Sequence, residues 1–379
     1  MIYLDNAATT PMSDEVVEVM KPYFTRNYAN PASLYDFACE VKKDVENART
    51  KIAKAINAKP SEIYFTSSGT ESDNWAIKGV AEKYKDKGKH IITTAIEHHA
   101  VLHTCQWLEE QGFEVTYLPV DIAGRLNIEE LESEIRPDTI LISVMYANNE
   151  IGTIQSIKTI GEIAKKHGVI FHTDAVQAFA HIPINVRESN IDLLSASGHK
   201  FGGPKGVGFL YIRNGIQLDS FIHGGGQEEG LRAGTTNVPG IIGMGKAAEI
   251  AIKNLTEKME YLSKLRNYLV GKVKSEIPDS RLNGSFATWR LPNNANFCFK
   301  GIEGEALLIL LNMDGICVSA GSACNASSKE TSHVLKAIGL DDEYASSVIR
   351  ITLSNDNTME EIDFVVERLK ENVAKLRSM

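Results

Sequence analysis

A lysine follows an apolar run of this chain and lies in a turn rich in glycine and proline. Lys200 ends the segment Ser-Ala-Ser-Gly-His-Lys and is followed by Phe-Gly-Gly-Pro-Lys-Gly. A lysine that such a turn shields from water loses its proton and becomes a nucleophile toward carbonyl groups. A Schiff base to an aldehyde cofactor needs this chemistry. Most lysines are solvated surface charges, so this interpretation depends on the residues that accompany Lys200.

An acidic residue stands at the end of an earlier predicted strand. Asp174 precedes Lys200 by 26 positions, the order expected when one further strand-and-helix unit carries the amine. A carboxylate there can hold a pyridine nitrogen protonated, which turns pyridoxal phosphate (PLP) into an electron sink. Gln177 follows one helical turn later, so both side chains could face one ligand. The common alternative for an aspartate at a strand end is a helix cap or a turn.

A turn of small residues over 66–72 separates a predicted strand from a predicted helix. Its free backbone N–H groups and the helix dipole would receive a phosphate group. Ser197 could add a hydroxyl group to the same phosphate. Ser68 and Glu71 also have the spacing of an ordinary capping box. Both interpretations remain open, because one helix start can serve both purposes.

Three histidines follow another predicted strand end. His98 could stack on a cofactor ring and relay protons, and the alternative is a partly buried structural histidine. His99 and His103 are four positions apart on a predicted helix, a spacing that suggests zinc. The glutamate of an HExxH motif is missing, however, so no resident metal is predicted.

The chain has five cysteines, an odd number, and they form no CxxC pair. A disulfide framework or a structural zinc site is therefore not expected. Four of them are predicted to be buried apolar residues, in helical patterns (Cys39, Cys105) or in strand-like runs (Cys298, Cys317). Cys324 lies in a small, polar, aperiodic segment that predicts a mobile exposed loop. Its thiolate could swing to a substrate held elsewhere, and the alternative is a harmless loop cysteine.

Short apolar runs alternate with amphipathic helical patterns through the first two-thirds of the chain. The candidate strands are residues 63–66, 90–94, 114–119, 139–147, 169–173, 193–196 and 207–212. This order predicts an α/β fold with a mostly parallel seven-stranded sheet. Ligands of such sheets bind outside the carboxyl ends of the strands, where the polar clusters described above fall.

The last third of the chain has a different pattern. A long helix is predicted over roughly 240–276, and strands over 296–299, 316–319 and 348–353 with helices over 303–312 and 358–376 follow it. We therefore expect a second, smaller α+β domain. The predicted division is a large cofactor-binding domain at 13–254 and a small domain made of 1–12 and 255–379. The small domain would carry the cysteine loop at about 319–333.

Composition narrows the function further. The chain has 379 residues, 43% of them hydrophobic, and a formal net charge of -9. Nucleic-acid binding needs clustered basic residues, and no basic run is present. The first residues lack the pattern of a signal peptide, and the apolar runs are shorter than a bilayer span. We expect a cytoplasmic protein that binds neither nucleic acid nor membranes.

Taken together, these residues resemble those of the cysteine desulfurases of the NifS and IscS type. These are fold-type-I PLP enzymes of the class-V aminotransferase family, and the resemblance covers essentially the whole chain. The motifs that carry it are YLDNAATT (3–10), NPAS (30–33), TESDN (70–74), NNEIG (148–152), SGHK (197–200), GGGQE (224–228), RAGT (232–235), GSAC (321–324) and IR (349–350).

The resemblance implies a role for each cofactor-site residue. Lys200 resembles the lysine that forms the Schiff base, Asp174 the partner of the pyridine nitrogen and Gln177 the donor to the ring hydroxyl. His98 resembles the imidazole that stacks on the ring. The phosphate cradle would comprise Gly69, Thr70, Ser197 and His199. Thr235 resembles a threonine that reaches the phosphate of a neighbouring subunit, which implies a homodimer with shared active sites.

The resemblance also implies the substrate site and the reaction. Asn149 would lie near cofactor and substrate, and Arg350 would bind the substrate carboxylate, which suits its guanidinium fork. Cys324 resembles the nucleophile that forms a persulfide while L-cysteine becomes L-alanine. The sulfur would pass to an acceptor protein such as an iron–sulfur scaffold, and Cys324 could transiently ligate a nascent iron–sulfur cluster. The alternatives are a selenocysteine lyase, an aminotransferase of the same fold and a non-catalytic scaffold.

Overall fold

A computed structural model of the chain describes residues 1–320 and 331–379. Its strands are β1 (Ile2–Tyr3), β2 (Ile63–Thr66), β3 (His90–Thr94), β4 (Glu114–Leu118), β5 (Thr139–Ser143), β6 (Ile170–Asp174), β7 (Leu193–Ser197), β8 (Gly208–Ile212), β9 (Ser280–Leu282), β10 (Asn294–Phe299), β11 (Ile316–Cys317) and β12 (Val348–Thr352). Its helices are α1 (Asp14–Met20), α2 (Pro22–Thr25), α3 (Asp36–Ala55), α4 (Gly69–Tyr84), α5 (His99–Glu110), α6 (Ile128–Ser133), α7 (Ile157–His167), α8 (Val238–Ile252), α9 (Leu255–Glu276), α10 (Gly304–Met313), α11 (His333–Ala337), α12 (Asp342–Ala345) and α13 (Met359–Arg377).

The largest sheet has seven strands in the order β2-β8-β7-β6-β5-β3-β4. Strand β8 runs antiparallel to both of its neighbours, and the other pairs are parallel. The predicted mostly parallel, seven-stranded α/β sheet is therefore confirmed. The carboxyl ends of β3, β5, β6 and β7 meet at one edge, because parallel strands present the same ends together.

Both faces of this sheet are covered by helices, as its largely buried strands require. Helices α4 and α5 pack on one face through a cluster that includes Trp75 and Val101. Helices α3, α7 and α8 contribute Val45, Ile160 and Met244 to the core on the other face. Full burial of a side chain of this size stabilises the fold by roughly 1.5–3 kcal/mol. The edge that carries the polar residues is thus held by a rigid scaffold.

A second hydrophobic cluster is formed by helices α9, α10 and α13 against the antiparallel sheet β12-β10-β9. The beginning of the chain joins it, because β1 pairs in parallel with β11 and Leu4 is fully buried there. This arrangement brings residues 5–10 back toward the large sheet. The proposed domain boundaries at residues 12 and 254 stay a prediction.

Two expectations about helices and cysteines were wrong. The predicted helix over 240–276 is two helices, because Asn254 adopts a left-handed conformation (φ 67°) between α8 and α9. Cys105 and Cys298 are buried, but Cys39 is exposed and Cys317 is only half-buried. Cys39 lies on the outer side of α3, next to the buried Ala38. Within the described residues, no helix is long and apolar enough to cross a membrane.

Candidate active site

A cavity of about 320 Å³ lies at the edge of the sheet where β3, β5, β6 and β7 end. Ten of the residues singled out from the sequence line it, namely Gly69, Thr70, His98, Asn149, Asp174, Gln177, Ser197, His199, Lys200 and Arg350. They come from segments between position 69 and position 350 of the chain, so only the fold brings them together.

Lys200 ends a single helical turn, Gly198–Lys200, that directly follows strand β7. Its Nζ donates hydrogen bonds to the backbone oxygens of Ala7 (2.7 Å) and Ala8 (3.0 Å). The turn is tight, since a Cβ atom at Gly203 would stand 2.7 Å from the Gly198 oxygen. The glycines of this turn therefore allow the close backbone approach that presents the amine to the cavity.

Asp174 is the last residue of β6, and its carboxylate is almost fully buried. Burial raises its pKa to about 6, although the Val176 N–H, which donates to Oδ1 at 2.9 Å, and the nearby Lys200 oppose the rise. Gln177 Nε2 donates to the Ala7 oxygen at 3.0 Å, so Gln177 and Lys200 share one acceptor. A cationic partner such as a pyridinium nitrogen would favour the ionised form of Asp174.

Further polar groups are buried beneath Asp174. His172 lies between Ser143 and Ser195, with its ring nitrogens 2.8 and 3.0 Å from the two hydroxyl oxygens. Burial lowers the pKa of His172 to about 3, so its imidazole is neutral. Asp73 is also buried, and burial and the charge of Asp174 raise its pKa well above the usual value. The interior behind Asp174 thus disfavours a second negative charge.

Glu97 is a fully buried carboxyl group in the same region. Its Oε1 accepts hydrogen bonds from Thr94 Oγ1 (2.6 Å) and from the Met145 N–H (2.9 Å). Burial nevertheless raises its pKa to about 8, so Glu97 is protonated in the folded protein at neutral pH.

Glu97→Gln is expected to change how stability depends on pH. The unfolded carboxyl group releases its proton near pH 4.3, while folded Glu97 keeps it up to about pH 8, so its contribution to stability is lost as the pH rises through this window. Glutamine does not titrate. The variant should therefore match the wild type at pH 4 and exceed its free energy of unfolding at pH 8.5 by a few kcal/mol in urea unfolding. The exposed Glu18→Gln is the control, and an equal pH dependence of wild type and Glu97→Gln would contradict the prediction.

His98 caps the start of α5, and its Nδ1 accepts a hydrogen bond from the Ala100 N–H at 3.1 Å. Burial, and then the positive charge of Lys200, lowers its pKa to about 4. The imidazole is therefore neutral near pH 7, and because Nδ1 is an acceptor, its proton is on Nε2. This fixed, uncharged ring has the properties needed to lie against a flat cofactor ring, which stays a prediction.

The turn predicted to bind phosphate leads into α4. A Cβ atom at Gly69 would stand 2.6 Å from Val176 Cγ2, so a larger residue does not fit at this helix start. Ser68 Oγ accepts from the Glu71 N–H at 3.1 Å, which is one half of the predicted capping box. The other half was wrong, because the Glu71 carboxylate accepts from the Ser67 N–H instead (2.8 Å). The helix start at the cavity carries the positive end of the dipole, which favours an anion.

Arg350 lies in β12 with a side chain that is only 2% exposed. Its Nη2 donates to Asp5 Oδ1 at 2.8 Å and its Nη1 to the Asn149 oxygen at 3.3 Å. Its Nε is buried without a hydrogen-bond partner among the described residues. A buried guanidinium at the wall of a cavity, with a donor unused, is suited to a carboxylate ligand.

Sequence reasoning missed several contributors to the site. The carbonyl groups of Ala7 and Ala8 carry no side-chain signal, since their role follows from the path of the backbone. His99, which the sequence suggested only as a zinc ligand, also lines the cavity, as do Glu150 and His333. The signal that could have found His333 was its place directly after the cysteine segment. In the structure, its Nε2 lies 2.9 Å from the backbone oxygen of Glu97.

Two predicted site residues stand apart. Thr235 is exposed and is not among the residues that line the cavity of its own subunit. Cys324 lies outside the described residues. Both flanks of that segment reach the site, however. On one side, the backbone of Ser319 forms an antiparallel β-bridge with Arg350. On the other side, Ser332 Oγ donates a hydrogen bond to Glu150 Oε2 at 2.7 Å.

The donors at the cavity fit PLP. The chain offers an amine for the aldehyde, a carboxylate for the pyridine nitrogen, a neutral imidazole for the ring and a helix start for the phosphate. A Cβ atom at Gly69 would collide with Val176, which also lines the cavity, so this helix start needs glycine. Among residues 1–320 and 331–379, no group of three or more His, Cys, Asp or Glu side chains could hold a metal ion.

Comparison with known proteins defines the class. The family model for class-V aminotransferases matches residues 2–365, and the chain belongs to this family of PLP-dependent enzymes. Its relatives identify the branch. The cysteine desulfurase IscS of Methanosarcina thermophila is 58% identical over 379 residues, which cover 100% of this chain and 93% of the relative. Within the family, the chain is a cysteine desulfurase.

Solved structures agree with this assignment. A NifS-like protein superposes with a TM-score of 0.93 at 43% identity, covering 99% of this chain and 100% of that one. The structure of SspA in complex with cysteine has a TM-score of 0.81 at 39% identity and covers 94% of this chain and 100% of that one. The predicted resemblance, cofactor class and activity are therefore confirmed, while the roles of individual residues stay predictions.

Proposed function

We propose that this cavity removes the sulfur atom of L-cysteine, with Lys200 moving the protons and Cys324 receiving the sulfur. The observation that best supports the proposal is the convergence of Lys200, Asp174 and Arg350 on one cavity at the edge of the sheet. An amine, a buried carboxylate and a guanidinium together are the groups that a PLP-dependent reaction on an amino acid requires.

PLP, when bound, stabilises the electron pair released as bonds to the substrate carbons break. Lys200 would hold the cofactor, and its Nζ would then take the proton from the substrate Cα and return it. Asp174 would keep a proton on the pyridine nitrogen. The phosphate would be bound by the start of α4 together with Ser197 and His199. His98 would lie against the ring as a neutral imidazole.

Substrate binding would rest on Arg350 and Asn149. Arg350 would turn its unused Nε–H toward the carboxylate of L-cysteine, while Asp5 holds the other end of the guanidinium. Because the guanidinium is buried, its charge is poorly screened and selects strongly for an α-carboxylate. A simple thiol compound, or a cysteine within a peptide, would have no α-carboxylate to place against Arg350.

The sulfur step is balanced without an external oxidant. The Cys324 thiolate attacks the substrate sulfur, so that an S–S bond forms and the Cβ–S bond breaks. The electron pair of the broken bond stays with the substrate carbon, which gains a proton as L-alanine forms. Cys324 lies five positions after Ser319, which pairs with Arg350, and five residues span up to about 17 Å. Such a reach would allow the Cys324 thiol to act on a substrate held by Arg350.

The surroundings of the reaction are also part of the proposal. The persulfide would pass its sulfur to an acceptor protein, such as an iron–sulfur scaffold. The protein would act in the cytoplasm as a homodimer with shared sites, and the exposed Thr235 of each subunit would reach the phosphate of the other. Cys324 could transiently ligate a nascent iron–sulfur cluster.

The product balance tests this function. The purified holoenzyme is given L-cysteine and a reductant, and sulfide and alanine are both measured. We expect equal amounts of the two products. Transamination would instead require a keto acid and release no sulfide, and a selenocysteine lyase would act only on the selenium analogue. Absence of both products from a protein that carries PLP would overturn the proposal.

A further inference from the structure

The segment that carries Thr235 has an unfavourable backbone. Residues 224–235 include two consecutive non-glycine residues in the left-handed region, Glu228 (φ 47°) and Glu229 (φ 57°). Such conformations cost on the order of 1 kcal/mol or more each and persist only where the surroundings hold them. Contacts with the rest of the protein must therefore hold residues 224–235 in this conformation.

One ion pair fixes the segment to the scaffold. Arg49 on α3 donates from Nη1 and Nη2 to the two carboxylate oxygens of Glu228, at 2.7 and 3.0 Å. The Phe65 N–H, at the edge strand β2, donates to the same carboxylate at 2.9 Å. This contact anchors the middle of the segment to the large sheet and its helices.

A second ion pair fixes the segment to the predicted phosphate turn. Arg232 donates from Nε and Nη2 to the two oxygens of Glu71, at 2.7 and 3.0 Å. The side chains are only 19% and 10% exposed, so this pair is better shielded from water than a typical surface salt bridge. The Glu71 carboxylate also accepts from the Ser67 N–H, at the turn that leads into Gly69. One carboxylate thus joins the phosphate turn of a subunit to Arg232, three residues before Thr235.

We propose that the Glu71–Arg232 ion pair couples the two cofactor sites of the dimer. The inference rests on the proposed function, in which Thr235 of one subunit binds the phosphate in the other. A phosphate bound at the start of α4 orders the turn and with it Glu71. Glu71 in turn holds Arg232, and this positions Thr235 for the phosphate in the partner subunit. The two sites share the entropic cost of ordering these residues, so that cofactor bound in one site raises the affinity of the other site for cofactor. Glu71 and Arg232 are positioning residues.

Hybrid dimers test the coupling. One subunit carries Lys200→Ala and Arg232→Gln, the other is unaltered, and two affinity tags isolate the mixed dimer. Only the unaltered subunit gives the absorption of lysine-linked PLP, so titration of the apoprotein with PLP reports that site alone. We expect its apparent dissociation constant to rise at least about fivefold. A control hybrid carries Lys83→Gln in place of Arg232→Gln. This change breaks the exposed Lys83–Asp219 ion pair on α4, the helix that carries Glu71, and should leave the apparent dissociation constant unchanged.

The reverse hybrid separates coupling from a local role. Here Arg232→Gln is placed in the subunit that keeps Lys200. Weakened binding in the reverse hybrid alone would mean that the ion pair only stabilises its own subunit, and the inference would be overturned. Unchanged binding in both hybrids would overturn it as well. Arg232→Lys, which keeps the charge but loses the two-point contact, should weaken the partner site in the same direction.

Thr235→Ala distinguishes this inference from its premise. Placed in the Lys200→Ala subunit, it should weaken cofactor binding in the unaltered subunit. If it has no effect there, the shared phosphate site fails and the proposed function must be revised. If Thr235→Ala weakens the partner site and Arg232→Gln does not, only the coupling through Glu71 fails.

Discussion

Lys200→Ala is expected to abolish the absorption of lysine-linked PLP and to lower cysteine turnover by at least about 10²–10⁴-fold, the range for loss of a proton-transfer group. Its amine lies at the cavity beside Asp174, and alanine can neither hold the cofactor covalently nor move a proton at the substrate Cα. The measurement is alanine formation together with the absorption spectrum. The absorption spectrum shows whether the variant loses PLP altogether or loses only the covalent bond between PLP and the lysine.

The matched control is Lys205→Ala, in the same glycine-rich turn. Lys205 is exposed, so its removal takes a charge from this region without altering the cavity. The control should keep both the spectrum and the turnover. Normal alanine formation by Lys200→Ala would contradict the assignment of Lys200 as the residue that moves the proton.

The order of elements was readable because apolar periodicity in this chain is strong. All seven strands of the large sheet were predicted within a few residues, and the polar segments after β3, β5, β6 and β7 coincide with the cavity. The largest error in these bounds was the strand predicted over 139–147, which was four residues too long because it ends at Ser143. Beyond it the backbone still bonds to β6, where the Tyr146 N–H donates to the Asp174 oxygen, but it no longer runs as a regular strand. Val144 and Ala147 still belong to the hydrophobic core of the large sheet. Met145 and Ala147 also line the cavity.

The parts that could not be predicted depend on contacts between distant segments. Nothing local indicates that Ala7 accepts from Lys200, or that Glu71 binds Arg232 rather than completing a capping box. The pattern of α3 was helical, but it did not show that Cys39 faces water. Motif spacing identifies the type of residue that a reaction needs, while only the folded chain determines which partner each side chain reaches.

Cys324→Ala is expected to keep the lysine-linked PLP spectrum and to lose sulfur transfer. Lys200, Asp174 and Arg350 remain in place, so the cofactor and the substrate carboxylate still have their partners. Without the thiolate, the substrate sulfur has no attacking group, and the Cβ–S bond does not break at the normal rate. Alanine formation and labelling of the protein persulfide are measured together, and both should fall to background.

The matched control is Cys39→Ala, because Cys39 is an exposed thiol in the described structure and its change tests whether any accessible cysteine can accept sulfur. Its spectrum, alanine formation and persulfide labelling should match the wild type. Persulfide on the protein after Cys324→Ala would move the nucleophile to another thiol. Unchanged alanine release without persulfide would mean that sulfur leaves directly, since thiolate attack requires an S–S bond to the protein. Loss of both signals with the spectrum intact separates the sulfur step, which needs Cys324, from proton transfer, which needs Lys200.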